Sequence, residues 1–327
     1  MKQTALAQLQ QFTTIVADSG DLNAIATLRP LDATTNPSLI TAAAMQADNQ
    51  TLIQDAFAQA RREGYQEDAF IERSIDILTV KLGVEILQLI DGRVSTEVDA
   101  ALSYDTNATI AKAKELLALY QDYGIAQDRI LIKIASTWEG IQAARVLEAQ
   151  GIHCNLTLLF GLAQARACAD AGVTLISPFV GRILDWHKKA EGVAHYPIEQ
   201  DPGVLSVKQI YQYYKQHGVK TEVMGASFRS IEQVLALAGC DLLTVAPNLL
   251  QQLAATECDV PRLLNPQSHV EADLGAVFID ELSFKNEVQH DLMASQLLQG
   301  GIDGFIKARQ QLHQLLASAT AHTEVVA

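Results

Sequence analysis

A (β/α)8 TIM barrel with extra helices, forming one domain over residues 1–327, is the fold this sequence predicts. Two observations carry that reading. Eight short β-branched or apolar runs recur along the chain, each followed by a longer segment of helical period, and strand alternating with helix argues a parallel sheet covered by helices. No Gly/Ser-rich or Pro-rich linker divides the sequence, which favours one domain over two.

The runs are Thr14–Asp18, Asp32–Asn36, Arg93–Glu97, Ile130–Ile134, His153–Leu158, Val173–Ser177, Thr221–Gly225 and Asp241–Val245. Between them, Ile110, Ala113, Leu116, Leu117 and Tyr120 make one helical stripe and Ile141–Leu147 another. There is room for more than one helix between Asn36 and Arg93. Within it Ile71–Ile90 is broken by Glu72, Arg73, Asp76, Lys81 and Glu85, as an amphipathic helix is and a membrane span is not. The polar, Gly- and Pro-containing stretch Asp185–Val204 is placed to cover one mouth of the barrel. After Val270 the periodicity predicts helix to about Leu316, followed by a small-residue tail, Ala317–Ala327, expected to fray.

Composition narrows the function. Hydrophobic residues are 49% and charged residues 19%, enough apolar material for a large core. Net charge is −14, from 24 basic and 38 acidic side chains, so the surface as a whole repels nucleic-acid backbones and anionic lipid. An anionic small substrate would need a local cationic cluster. The Gln-interrupted start is not a secretory signal, and a cytoplasmic protein is expected. The four cysteines form no CxxC and the eight histidines no HExxH, so no metal site is predicted and the thiols read as small buried hydrophobes. Neither GxGxxG nor GxxxxGK[ST] occurs, which leaves nucleotide binding without support.

Strand parity turns the fold into a functional argument. In the fourth strand Ile130, Ile132 and Ile134 face the helices, leaving Leu131 and Lys133 inside the barrel. In the third, Ser95 and Glu97 point inward; in the fifth, Asn155 and Thr157 do, with Cys154, Leu156 and Leu158 outward. Asp18 ends the first strand, Thr34 and Asn36 close the second, Ser177 ends the sixth, and Ser227 and Arg229 follow the seventh. All fall at carboxyl ends of strands, where barrel enzymes build their sites. A lysine inside a barrel is costly unless paired, and burial favours the neutral amine that attacks a carbonyl and forms a Schiff base. A structural Lys133–Glu97 ion pair and polar mouth residues with no chemistry are the competing readings. Arg229, in a small-residue turn after the seventh strand, and Arg182, after the sixth, are placed to receive a phosphate, although a surface arginine paired with a helix carboxylate would look the same in sequence.

The segments Asp32-Ala33-Thr34-Thr35-Asn36-Pro37-Ser38-Leu39, Ile132-Lys133-Ile134-Ala135-Ser136-Thr137-Trp138-Glu139-Gly140, Asn155-Leu156-Thr157-Leu158-Leu159-Phe160, Ile176-Ser177-Pro178-Phe179-Val180-Gly181-Arg182 and Met224-Gly225-Ala226-Ser227-Phe228-Arg229 resemble the transaldolase family. Departures are small: Leu31 and Gly161 stand where relatives often have Gln and Ser. The resemblance implies a class I aldolase-type barrel of the pentose phosphate pathway, a cytoplasmic homodimer that needs no cofactor and no metal. It makes Lys133 the Schiff-base lysine, Asp18 the acid/base group, and Glu97 with Thr157 the handlers of a catalytic water. Asn36, Asn155 and Ser177 would hold substrate hydroxyls, with Thr34 beside them, and Arg182, Ser227 and Arg229 the phosphate. Sugar phosphates are the implied partners. Aldolases of the wider family tend to carry Tyr where this chain has Phe179, which favours transfer over release of free dihydroxyacetone. A catalytically silent sugar-phosphate sensor is the reading from another class, and it leaves a buried amine beside two carboxylates without a purpose.

Overall fold

The computed structural model describes residues 3–267 and 277–326. Its strands are β1 (Thr14–Asp18), β2 (Asp32–Thr34), β3 (Val94–Glu97), β4 (Ile130–Ala135), β5 (Cys154–Leu159), β6 (Leu175–Pro178), β7 (Glu222–Gly225) and β8 (Leu242–Val245). They pair in parallel and in chain order, and β1 closes on β8 with Thr14 opposite Leu242 and Ala17 opposite Val245. Around them run α1 (Ala5–Leu9), α2 (Leu22–Leu28), α3 (Pro37–Ala44), α4 (Gln50–Arg62), α5 (Glu67–Leu89), α6 (Thr106–Asp122), α7 (Trp138–Glu148) and α8 (Leu162–Ala171). They are followed by α9 (Gly181–Glu191), α10 (Pro202–Gln216), α11 (Ile231–Ala236), α12 (Pro247–Ala255), α13 (Glu281–His290) and α14 (Leu292–Val326). The predicted barrel with extra helices is the observed fold. Among the described residues, no helix is long and apolar enough to cross a membrane.

The pleat sorts side chains into two cores. Ile15, Ala17, Ala33, Ile130, Ile132, Ile134, Ile176, Val223, Leu243 and Val245 face the helix layer. Their neighbours Val16, Leu131, Leu175, Met224 and Leu242 fill the barrel interior. At the amino ends of the strands Arg93 pairs with Asp32 at 3.1 Å and Glu222 at 2.9 Å, a stabilising device on the face opposite to where barrels do chemistry. The interior above the apolar layer is polar, and that is the site end.

Four expectations change. Leu158, predicted to face the helices, has a left-handed φ of 53° and sits at an irregularity in the β5–β6 register. The parity therefore slips, and Leu158 packs at the mouth with Phe160, Phe179, Ile302 and Phe305 while Leu159 faces the outer core. Asn36 lies beyond β2 and caps α3, its Oδ1 accepting from Leu39 N at 3.1 Å, with Pro37 at the first helical position where its missing N–H costs nothing. The stretch from Asp185, expected to cover the mouth, supplies no residue to the lining there: it continues α9 until Gly192, at φ 68°, ends the helix, and most residues from 192 to 200 are exposed. The mouth is flanked instead by α14, which is helical to Val326, past the expected end at Leu316, since residues 317–326 contain no Gly or Pro to stop it. The segment predicted helical after Val270 lies partly outside the described residues; α13 begins at Glu281.

The helix α5 is more deeply buried than an amphipathic surface helix. Ile75, Ile77, Leu78 and Val80 are all buried, and Asp76 is buried with them. Its charge is compensated by Lys112 of α6 at 2.7 Å and Arg309 of α14 at 3.1 Å.

Candidate active site

Inside the carboxyl end of the barrel, register sets the positions. Glu97 of β3 lies opposite Lys133 of β4, which in turn lies opposite Asn155 of β5. Lys133 is buried; its Nζ donates to the Thr35 carbonyl at 3.0 Å and stands 3.2 Å from Glu97 Oε2 in an ion pair. That contact lacks hydrogen-bond geometry, so Glu97 Oε2 remains without a hydrogen-bond partner, as does the buried Thr157 Oγ1. Two buried oxygens on the strands flanking β4 are therefore able to bind one more small polar group.

Asp18 pairs in register with Thr34, whose hydroxyl donates to Asp18 Oδ1 at 3.2 Å and contacts the Thr244 hydroxyl at 2.8 Å. Burial pushes the Asp18 carboxyl above its ordinary value, against the opposing pull of Lys133, the Thr34 hydrogen bond and Arg182. Glu97 is likewise raised by burial, with Lys133 pulling it down most and Asp18 adding to the rise. Two carboxyls raised by burial, each pulled back by the same Lys133 amine, form an acid/base arrangement.

Of the predicted residues, Asp18, Thr34, Asn36, Lys133, Thr157 and Ser177 line a single cleft with Phe179, Arg182, Ser227 and Arg229. Glu97 and Asn155 stand behind that wall. Asn155 is fully buried: its Nδ2 donates to Ser95 Oγ at 3.0 Å and its Oδ1 accepts from Ser177 Oγ at 2.5 Å. One amide hydrogen and one oxygen lone pair thus orient Ser95 and Ser177, a second of each remains, and of these three residues Ser177 is the one that lines the cleft.

The cationic end is built by extending the β6–β7 ladder past the strands. Phe179 bridges to Ala226, Val180 N donates to Ala226 O at 2.8 Å, and Gly181 N to Ser227 O at 2.7 Å. A Cβ on Gly181 would meet Ser227 O at 2.3 Å, so the two loops approach this closely only because residue 181 is glycine. Ser227 itself holds φ 62°, a conformation costing a non-glycine residue about 1 kcal/mol, which the flanking hydrogen bonds over-determine. Arg182 then projects from the first turn of α9 and Arg229 from the β7 loop. Arg229 is paired with Asp185 of α9 at 2.8 Å, the helix-carboxylate partner foreseen as the competing reading, yet it also lines the cleft, with Nη1 3.5 Å from Ser227 Oγ. Arg182 has its guanidinium lowered from the usual range by burial and by Arg229. Here is the local cation pair that an acidic protein needs to hold an anion.

A family model described as Transaldolase/Fructose-6-phosphate aldolase matches residues 15–316. The chain belongs to the transaldolase/fructose-6-phosphate aldolase family. A transaldolase of a Nostoc species is 54% identical over 330 residues, spanning 100% of this chain and 99% of its own length. One from Methylococcus capsulatus is 54% identical over 327 residues, 99% of each chain, and one from a Synechocystis species is 56% identical over 319 residues, covering 97% of this chain and 81% of its own.

Within this transaldolase-family barrel, sequence reasoning missed Met224, Ala226, Phe228, Thr244, Ala246 and Phe305 as cleft residues. Thr244 had a usable signal, since it shares parity with the interior Leu242. Phe305 had none: it comes from α14, outside the eight strand–helix units.

Proposed function

We propose that the chain is a transaldolase. It transfers a dihydroxyacetone unit from fructose 6-phosphate or sedoheptulose 7-phosphate to erythrose 4-phosphate or glyceraldehyde 3-phosphate, as a cytoplasmic homodimer of the pentose phosphate pathway. The observation that carries this reading is the buried Lys133 amine, 3.2 Å from Glu97 and in the same cleft as Asp18, with two guanidinium groups lining that cleft. Lys133 gives a proton to the Glu97 carboxylate it is paired with, and the neutral amine attacks the ketone carbon to give a carbinolamine. Glu97, through a water shared with Thr157, supplies and removes the protons by which water leaves and the iminium forms, and the two oxygens without hydrogen-bond partners support that role. Asp18 takes the proton from the β-hydroxyl, the adjacent carbon–carbon bond breaks, its electrons pass into the iminium, and an aldose phosphate leaves. The enamine on Lys133 waits for the second aldose phosphate, which accepts it by the reverse steps. Asn36 and Ser177 hold hydroxyls of the three-carbon unit, with Asn155 orienting Ser177, and Arg182, Ser227 and Arg229 hold phosphate.

Borohydride reduction with fructose 6-phosphate, followed by peptide mass mapping, tests the reading. A reduced three-carbon adduct on the Lys133 peptide, formed only with substrate, is expected; no adduct there removes the covalent mechanism.

Arg229→Ala raises KM for phosphorylated substrates about tenfold, the loss expected of a charge-assisted contact shared with Asp185. Steady-state kinetics with an unchanged KM would remove Arg229 from the phosphate site. The choice between transfer and simple aldol cleavage turns on Phe179, whose ring packs edge-on to Phe160 with centroids 5.3 Å apart. Phe has no proton to give to water, whereas a Tyr hydroxyl would, and enamine protonation releases free dihydroxyacetone. Phe179→Tyr is expected to raise free dihydroxyacetone relative to transfer product; an unaltered product ratio counts against this account of Phe179.

A further inference from the structure

The two arginines of the cleft are held by different means. Arg229 has the Asp185 carboxylate 2.8 Å away. Arg182 has aromatic rings: its Cζ lies 4.8 Å from the centre of the Phe179 ring and 5.8 Å from that of Phe305. A ring face attracts a guanidinium through its quadrupole while leaving the N–H edges available. A carboxylate would hold the group as firmly but would compete with an incoming phosphate for those same edges. Phe305 belongs to α14, and one face of that helix fixes it from both sides, since residues four apart lie one above another. One turn before it, a Cβ on Gly301 would meet Leu158 Cδ2 at 2.6 Å, so the helix rests directly on the bulged end of β5. One turn after it, Arg309 pairs with Glu72 at 2.7 Å, Asp76 at 3.1 Å and Asp99 at 3.2 Å.

We propose that Phe305 is a positioning residue for phosphate recognition. Its buried ring, carried on α14 and anchored through Arg309, completes the aromatic holder that keeps Arg182 aimed at the substrate phosphate without neutralising it. The C-terminal helix thereby sets the preference for phosphorylated over unphosphorylated aldehydes. This rests on the transaldolase reading, so the test compares two acceptors and keeps the covalent step as a separate readout.

Phe305→Leu keeps an apolar side chain and removes the ring face. Its kcat/KM with glyceraldehyde 3-phosphate as acceptor should fall roughly fivefold further than its kcat/KM with glyceraldehyde, the size expected when one partly desolvated cation–π contact is lost. The KM for the phosphorylated acceptor should carry that loss, inorganic phosphate should inhibit more weakly, and borohydride should still trap an adduct on Lys133. Phe305→Tyr, which restores a ring face, should recover the acceptor ratio. Equal losses for the two acceptors, which leave their ratio unchanged, would make Phe305 a packing residue only, and no loss with either acceptor would release Arg182 from any dependence on it; either result overturns the proposal. A wild-type protein that gives no Lys133 adduct would overturn the transaldolase reading, and this inference with it.

Discussion

Lys133→Ala lowers transfer between sugar phosphates by at least about 10⁴-fold, as loss of a covalent nucleophile does, and no borohydride-stable adduct forms on any peptide. The variant also removes the partner of a buried carboxylate. Glu97 has only 4% of its side chain exposed and its ion pair is with Lys133, and stranding one member of such a pair costs about 3 kcal/mol. Low activity could then be blamed on unfolding. The second variant, Lys133→Ala with Glu97→Gln, separates the two effects, because the amide leaves no buried charge to strand. Its melting temperature should rise above that of Lys133→Ala alone, with no return of turnover. Circular dichroism melts and a coupled transfer assay measure both; appreciable turnover by either variant would remove Lys133 from the chemistry.

The placement of Lys133 was legible because β4 is a regular strand: alternate residues of an unbroken pleat face opposite sides, so three isoleucines toward the helices fix the lysine inside. The same rule put Ser95, Glu97, Asn155 and Thr157 within the barrel. It failed one residue later, at Leu158, since a bulge shifts parity and nothing in Leu-Thr-Leu-Leu announces one. What lies beyond the pleat was less legible. Sequence placed Arg229 in the right turn but did not show that α9 would bring Asp185 to it. Parity gave Asn155 its direction but not its depth: it is fully buried and bonded to Ser95 and Ser177, with a second amide hydrogen left over. The dependence on α14 was invisible, since periodicity identifies a helix and its apolar face but not the surface on which that face docks. The carboxylates that anchor Arg309 lie more than 200 residues away along the chain.

Asp18→Asn should stop the reaction at a later step than loss of Lys133 does. An amide cannot take the proton from the β-hydroxyl, so under the proposed mechanism carbon–carbon cleavage fails while imine formation, assigned there to Lys133, Glu97 and Thr157, continues. Turnover falls by about 10² to 10⁴-fold, the range for loss of a general base, and the trapped Lys133 peptide carries the whole six-carbon donor in place of the three-carbon fragment. Mass mapping distinguishes the two adducts directly, and a three-carbon adduct at wild-type yield would assign the cleavage step to another group. Stability gives an independent check. Burial raises the Asp18 carboxyl in the folded protein more than Lys133, Thr34 and Arg182 lower it, so the folded state binds this proton more tightly than the unfolded chain does. Stability contributed by this group is then greatest at acid pH and declines as pH rises from the ordinary carboxylate range through the raised value. Asparagine has no charge to bury, so Asp18→Asn should melt higher than wild type at pH 7, and the difference should shrink as pH falls toward about 4. Activity runs the other way, because only ionised Asp18 accepts the proton, and wild-type turnover should fall on its acid side at a pH above the usual carboxylate range. A site that gives up stability at the pH where it must be charged is one kept for catalysis, and a melting temperature for Asp18→Asn below wild type across the whole range would make Asp18 a structural carboxylate instead.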